Sequence, residues 1–454
     1  MRGVPVMQKR KREIDMTVGA IWKQILWFAF PLMVGNVFQQ FYNTVDSIVV
    51  GNFVGKEALA AVGSVGPIIN SLIGFFMGLS TGAGVVISQA YGAKRQERVE
   101  RAVHTTLVMT FLLCFVFTFV GIAMTPMMLR LMSTPEDVMA QSAGYLRIYF
   151  AGVSGLMVYN MGSGILRAVG DSTRPLYFLI FSACVNTVLD IVFVAGFRMG
   201  IEGAALATVI AQVLSALLVL FVLARADGPY RVRLSKLHLH MDMLQAIVRV
   251  GFPAAIQMMI TSISNVFVQS YINAFGSSVM AGWSAYSKID QFILLPMQSI
   301  ALSATTFVGQ NYGAEQFARI RKGTGSALRM AMLTTGVLMI PVLCFAPVLV
   351  ELFNRDAEVV RYGSMLLRMM SPFYLLCCIN QVYAGSLRGL GNSKAPMVIM
   401  LCSFVLFRQI YLFAISRLVG TVRAVAFGYP MGWMVCSLSL FLYFRWYWKK
   451  QFRA

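Results

Sequence analysis

Gly164-Ile165-Leu166-Arg167-Ala168-Val169-Gly170-Asp171-Ser172-Thr173-Arg174-Pro175 returns 221 positions later as Gly385-Ser386-Leu387-Arg388-Gly389-Leu390-Gly391-Asn392-Ser393-Lys394-Ala395-Pro396. A second pair keeps the same displacement, Ser88-Gln89-Ala90-Tyr91-Gly92-Ala93 with Gly309-Gln310-Asn311-Tyr312-Gly313-Ala314, and Phe30-Pro31 matches Phe252-Pro253 at 222. Identities held at fixed places in two long motifs mark an internal duplication rather than chance. Each copy is therefore about half of the 454-residue chain.

The solvent for this duplicated unit is lipid. Hydrophobic residues make up 58% and charged residues 12%, and the mean hydropathy is +0.71, outside the range of ordinary soluble domains. A crossing takes roughly 20 apolar residues. Hydrophobic runs place helices near 21–50, 59–89, 104–128, 144–166, 176–196, 204–224, 247–273, 278–308, 325–350, 361–386, 396–416 and 425–446. The expected fold class is thus an all-α polytopic membrane protein of about twelve helices.

The net charge of +20 does not point to nucleic acid, because the basic residues are scattered between the apolar runs rather than gathered in one domain. The tail (Arg2, Lys9, Arg10, Lys11, Arg12), the connection after the second helix (Lys94, Arg95, Arg98, Arg101), those after the sixth (Arg225, Arg231, Arg233, Lys236) and eighth (Arg319, Arg321, Lys322), and the end (Arg445, Lys449, Lys450, Arg453) alternate with poorer connections. By the positive-inside rule both termini are expected in the cytoplasm, with the chain in the inner (cytoplasmic) membrane. Arg417 and Arg423 in the last outer connection run against the alternation. The start is rich in Lys and Arg and the first apolar run exceeds signal length, so no cleaved signal is expected.

Six crossings per copy is an even number, so the two copies enter from the same side and the repeats are parallel, an arrangement that favours a central cleft. The expected organisation is a tail over 1–20, a first lobe over 21–225, a polar linker over 226–246 with His238 and His240, a second lobe over 247–446 and a tail over 447–454. The two histidines are read as surface residues. The seven cysteines fall in apolar stretches without zinc or redox spacing and are read as core packing. With three histidines and no Asp-rich motif, a membrane-embedded transferase is not expected. Pro31 and Pro253 allow bending. Met258, Met259, Met297 and Met397 suit adaptable apolar contacts, although packing explains them as well.

Polar residues at bilayer depth single out a site, since an acid there costs roughly 2.5–3.5 kcal/mol on insertion scales. Asn186 and Asp190 share one face of the fifth helix, and Gln39, Asn43 and Asp46 form a stripe on the first. Asp46, Asp190 and Thr208 each lie roughly 6–9 Å below the outer ends of their helices. Two carboxylates, an amide and a hydroxyl at one depth suit Na+ or a proton; the alternative is that they only fasten the three helices together. In the second copy Asp46 maps to Val268, Asn186 to Phe407 and Asp190 to Tyr411, so this set is not duplicated. That copy offers Lys288, Asp290 and Arg408 instead. An intramembrane Arg408 needs a partner, and Asp290 is the expected one, as a structural ion pair or in substrate contact or gating.

These features resemble the multidrug and toxic compound extrusion (MATE) family: Phe30-Pro31, Tyr42-Asn43-x-x-Asp46, Gln89-x-Tyr91-Gly92-Ala93, Leu166-Arg167-x-x-Gly170-Asp171-x-x-x-Pro175 and Asn186-x-x-x-Asp190, in order over nearly the whole chain. The resemblance implies two six-helix lobes around a V-shaped cleft and export of small cationic or amphipathic compounds by antiport with Na+ or H+, with no other cofactor. It implies coupling at Asp46, Asn186, Asp190 and Thr208, with Asn160 nearby. Asn43, Gln39, Lys288, Asp290 and Arg408, read from their polarity alone, are expected to border the cleft or gate it. Acids that other members carry in the seventh and tenth helices are absent, which points to the DinF-like and archaeal branch. A flippase for a lipid-linked precursor is the nearest alternative, and a passive channel is less suited to a parallel duplication. Nothing requires more than a monomer.

Overall fold

In the computed structural model, residues 13–54, 56–132 and 134–452 are described; of 45–52, 56–60, 64 and 137 only the backbone is. The first half runs α1 (Ile21–Phe53), α2 (Lys56–Gly92), α3 (Gln96–Leu131), α4 (Glu136–Ala151), α5 (Val153–Ala168), α6 (Thr173–Asp190), a π turn (Ile191–Gly196) and α7 (Gly200–Ala224). The second runs α8 (Met241–Asn273), α9 (Ser277–Gly313), α10 (Phe317–Glu351), α11 (Ala357–Met370), a 3-10 turn (Ser371–Phe373), α12 (Tyr374–Gly389), α13 (Lys394–Leu401), a π turn (Cys402–Phe407), α14 (Arg408–Leu418), α15 (Val422–Ala426) and α16 (Gly428–Phe452). No strand occurs among the described residues.

Among the described residues eleven segments are long and apolar enough to cross a bilayer. The fourth expected crossing is the exception. It is broken between α4 and α5 at Gly152, where a Cβ would come within 2.2 Å of Val209, so the glycine lets this junction press against α7. Helices α1 and α8 continue through Pro31 and Pro253; the interruption occurs instead in α10, at Phe345 (φ −110, ψ 19), between Pro341 and Pro347. Outward-facing phenylalanines such as Phe115 and Phe119 give the bundle an apolar coat. Cys184, Cys344 and Cys402 lie on that coat, which corrects the expectation that all seven cysteines pack the core.

The repeated motif is a device that stops one helix and starts the next. Gly170 (φ 95) and Gly391 (φ 84) take the left-handed conformation. Their amides bond Arg167 O and Arg388 O, while Asp171 N and Asn392 N reach Leu166 O and Leu387 O, closing a Schellman motif in each copy. Asp171 Oδ1 then accepts from Thr173 N and Arg174 N at 3.0 Å, and Asn392 Oδ1 accepts from Ala395 N at 3.3 Å. One residue thus ends α5 or α12 and caps the following helix.

The two halves meet along α1, α2, α8 and α9, with the tightest backbone approaches at the basic end. A Cβ on Gly92 would lie 1.9 Å from Gln310 O, one on Gly313 1.9 Å from Gln89 O, and one on Gly82 2.2 Å from the Gly251 backbone. Gln89 Nε2 donates to Gly389 O at 2.8 Å, and its repeat partner Gln310 Nε2 donates to Ala168 O at 2.9 Å. The two bonds are images of each other under the 221-residue shift. Further from the basic end, Asn36 Nδ2 donates to Ser299 Oγ, Gln40 bonds Gln291, and Phe41 packs on Phe292.

Residues 13–20, read from sequence as part of a tail, are built into this junction. Met16 is fully buried, its N–H donates to Gln310 Oε1, and its carbonyl accepts from Asn311 Nδ2 at 3.0 Å and from Arg319. Glu13 accepts from Tyr91 and Tyr230 hydroxyls. Burial first, and the neighbouring Glu13 second, push the Tyr230 phenol well above its usual range, so it stays a donor. The linker is shorter than expected, because α8 begins at Met241. His240 N donates to Thr105 Oγ1, and the His238 and His240 rings meet edge to face. Among the described residues no cluster of three metal-ligating groups forms.

Candidate functional site

The polar residues of the first half collect between α6 and α7. Ser182 Oγ donates to Ala211 O and Ser215 Oγ to Phe178 O, which stitches the two helices by hydroxyl-to-carbonyl bonds that suit an apolar surrounding. One turn apart on the same face of α6 lie Asn186 and Asp190, 2% and 0% exposed. Asn186 Nδ2 donates to Thr208 Oγ1 at 3.4 Å, bringing α6 and α7 together where their sequence depth suggests. Among the described residues Asn186 Oδ1 accepts no hydrogen bond. A buried oxygen left open beside a buried carboxylate and a hydroxyl fits a group that brings positive charge or a proton donor. Asp190 is also the last α-helical residue before the π turn, a helix irregularity found often at functional positions.

Asp46 lies on α1, and its side chain is outside the described residues. Asn160 is not drawn to the Asn186–Thr208 pair by its hydrogen bonds: its amide donates to Leu156 O, one turn back on α5, and its carbonyl accepts from Ser80. Gln39 is half-buried and Asn43 exposed on α1.

In the second half the expected ion pair does not form. Arg408 is 3% exposed, and its Nη2 donates to Ser264 Oγ and Asn265 Oδ1, both at 2.9 Å, while the guanidinium lies 4.7 Å from the Tyr429 ring centre. Asp290 instead accepts from Tyr286 OH at 3.4 Å. The two side chains take different partners around one aromatic cluster that both α9 and α14 enter: Asp290 bonds Tyr286, whereas Arg408 lies over the Tyr429 ring, which itself packs on Trp283 at 5.6 Å. Lys288 is exposed, its Nζ over the Phe353 ring. Ser264, Asn265 and Tyr429 were not singled out from sequence. The duplication held the signal: Asn265 stands 222 positions after Asn43, and Tyr429 stands 221 after Thr208.

Other proteins share this architecture over their whole length. The probable multidrug resistance proteins YoeA and YpnP of Bacillus subtilis (strain 168) are 32% and 31% identical over 95% of this chain, covering 95% and 96% of their own lengths. The outward-facing structure of a multidrug resistance MATE family transporter of the MOP superfamily superposes with a TM-score of 0.91 at 24% identity, over 98% of this chain and 100% of that one, a likeness of fold. The MatE family model matches residues 31–192 and 253–412, one stretch in each half, and this chain, a multi-pass membrane protein, belongs to that transporter family.

Proposed function

We propose that this chain is a secondary active multidrug efflux transporter, exporting small amphipathic or cationic compounds by antiport with Na+ or H+ through alternating access. The observation that carries the reading is the fully buried Asp190 beside the open Asn186 oxygen and Thr208, present in one half only. Asp190, Asn186 and Thr208, with Asp46 from α1, would hold the coupling ion, a monovalent cation or a proton on a carboxylate. Binding it neutralises charge that is costly at this depth, so occupancy has a direct energetic consequence for how α1, α6 and α7 pack. The basic end faces the cytoplasm in this reading, by its excess of Lys and Arg, and the inner membrane is the host. The chain works as a monomer with no partner other than lipid and substrate, and it performs no catalysis.

The test is uptake of a fluorescent organic cation into inside-out vesicles holding the purified protein, under an imposed Na+ or H+ gradient. Wild type accumulates the dye with one gradient, and Asp190→Asn and Asp46→Asn each abolish that accumulation while the protein remains folded by gel filtration. Normal accumulation by both variants would sink the coupling site. No accumulation by wild type with either ion would overturn efflux in favour of lipid-precursor flipping, read by translocation of a labelled lipid.

A further inference from the structure

The two halves carry opposite charge at related places. In the first, Asp190 and Asn186 on α6 face Thr208 on α7. In the second, the residues at the Asn186 and Asp190 positions are Phe407 and Tyr411, Thr208 is replaced by Tyr429, and a guanidinium, Arg408, lies against that tyrosine. Both charges border a π turn, Asp190 just before Ile191–Gly196 and Arg408 just after Cys402–Phe407.

A guanidinium 97% buried is expected to have a carboxylate beside it, because an uncompensated buried charge is strongly destabilising. Here the ion pairs among the described residues are Arg101–Asp242, Arg174–Asp171 and Lys236–Glu100, all away from α14. Arg408 is held by neutral groups alone, a hydroxyl, an amide oxygen and an aromatic face, and its Nε is buried with no partner. The cover over it is thin. Asn265 is exposed although it lies eight residues, roughly 12 Å, short of the end of α8, and an amide turned to hydrocarbon at that depth would be costly. That face of α8 therefore looks into the aqueous cleft, and its repeat partner Asn43 is exposed on α1 in the same way.

The structure assigns Arg408, with Asn265 and Tyr429, the role of an anion subsite in the second half: it takes the carboxylate, sulfonate or phosphate group of an amphipathic solute. Arginine presents its donors as a planar fork that matches such groups with two parallel bonds, and the tyrosine face supports the ring or chain next to the anion. A bilayer phosphate is not the occupant, because Arg408 is ten residues, about 15 Å, from the end of α14. The assignment rests on the efflux reading and narrows it: the exported compounds are zwitterionic or anionic amphipaths as well as plain cations.

The experiment compares tetramethylrhodamine, which carries a free carboxylate, with its methyl ester, which has the same delocalised cation and no anion. Dissociation constants come from fluorescence polarisation with purified protein in detergent. Gradient-driven accumulation of the ester in vesicles tests efflux itself, independently of the subsite. Wild type binds the acid about tenfold more tightly than the ester, and Arg408→Gln brings the ratio to about one. Asn265→Asp, which supplies a carboxylate at the atom already bonded to Arg408, also brings the ratio to about one and keeps the answer accessible if Arg408→Gln does not fold. Equal binding of acid and ester by wild type, or an acid preference that survives Asn265→Asp, would overturn the subsite while leaving efflux standing.

Discussion

Arg388 and Arg408 are both buried guanidinium groups in the second half, and they differ in what holds them. Arg388, 7% exposed, donates from Nη2 to Gln257 Oε1 at 3.3 Å, and its Nε has no hydrogen-bond partner. It occupies the last turn of α12, where the partial negative charge of the helix C-terminus favours a cation, so its charge is met by the helix as much as by Gln257. Gln257→Met would remove the side-chain acceptor at nearly unchanged shape. The cost expected is about 1–3 kcal/mol, seen as a lower melting temperature in detergent, with the acid-to-ester binding ratio of wild type preserved because Gln257 does not touch Arg408. An unchanged melting temperature would show that the helix terminus alone satisfies the guanidinium. The contrast explains why sequence reasoning paired Arg408 wrongly. A charge in a membrane helix invites a search for the opposite charge, and Asp290 is one of few acids in the second half's helices. Serine, asparagine and tyrosine are too common to announce themselves as partners, and only the repeat register, Asn43 to Asn265 and Thr208 to Tyr429, separated these from the rest.

Among the elements, the hydrophobic runs ended at 166 and 386 and resumed at 176 and 396, either side of the repeated motif, and the structure supplies the device between them, left-handed Gly170 and Gly391 followed by the capping Asp171 and Asn392. The fourth crossing was legible as one apolar run and not as two helices, since the break at Gly152 answers to Val209 on α7, a contact between distant positions. The same limit hid the closest approach between the halves. Gly92 and Gly313 look like ordinary helix-ending glycines, yet each leaves room for a carbonyl of the opposite half, Gln310 O and Gln89 O. A methyl group at 1.9 Å from a backbone oxygen cannot be absorbed by side-chain motion, so Gly92→Ala forces α2 and α9 apart at the basic end. The symmetric bonds Gln89 to Gly389 and Gln310 to Ala168 sit within one turn of that point and would lengthen with it. Spin labels at Arg98 and Ala318, both exposed at the basic end, are expected to show a longer distance in Gly92→Ala than in wild type, with dye accumulation reduced at least tenfold. An unchanged distance distribution would mean that the glycine contacts do not set how closely the halves approach.

For the whole molecule, the state described is one in which the halves are joined at the basic end and the N-terminal segment is part of the joint. Met16 contributes a fully buried side chain, its backbone N–H and carbonyl are taken by Gln310 and Asn311, and Arg319 reaches Met16 O, Gly19 O and Gln24 Oε1. Ile14 N donates to Gly170 O at 3.1 Å, so the segment touches the end of the first half's motif and the start of α10 at once. These contacts span both halves, and a state in which the basic end opens cannot keep them all. The segment therefore stabilises the closed joint selectively, which is the requirement for shifting a two-state equilibrium. Burial of one methionine side chain is worth about 1.5–3 kcal/mol, equivalent to roughly a ten- to hundredfold change in the ratio of closed to open molecules. Removing residues 1–19 should then raise the fraction of long distances between labels at Arg98 and Ala318 by that order, and Met16→Asp should do the same, since an unpaired acid in that pocket costs more than the lost methionine. The transport consequence follows from the cycle: with the joint weakened, return to the substrate-loading side is easier and locking for release is harder, so the coupling ratio, dye molecules moved per ion, falls even where the initial rate does not. Measured side by side, a longer label distance with a lower coupling ratio would establish the segment as a strap on the basic end, whereas distances and ratio both equal to wild type would reduce it to an ornament of the fold.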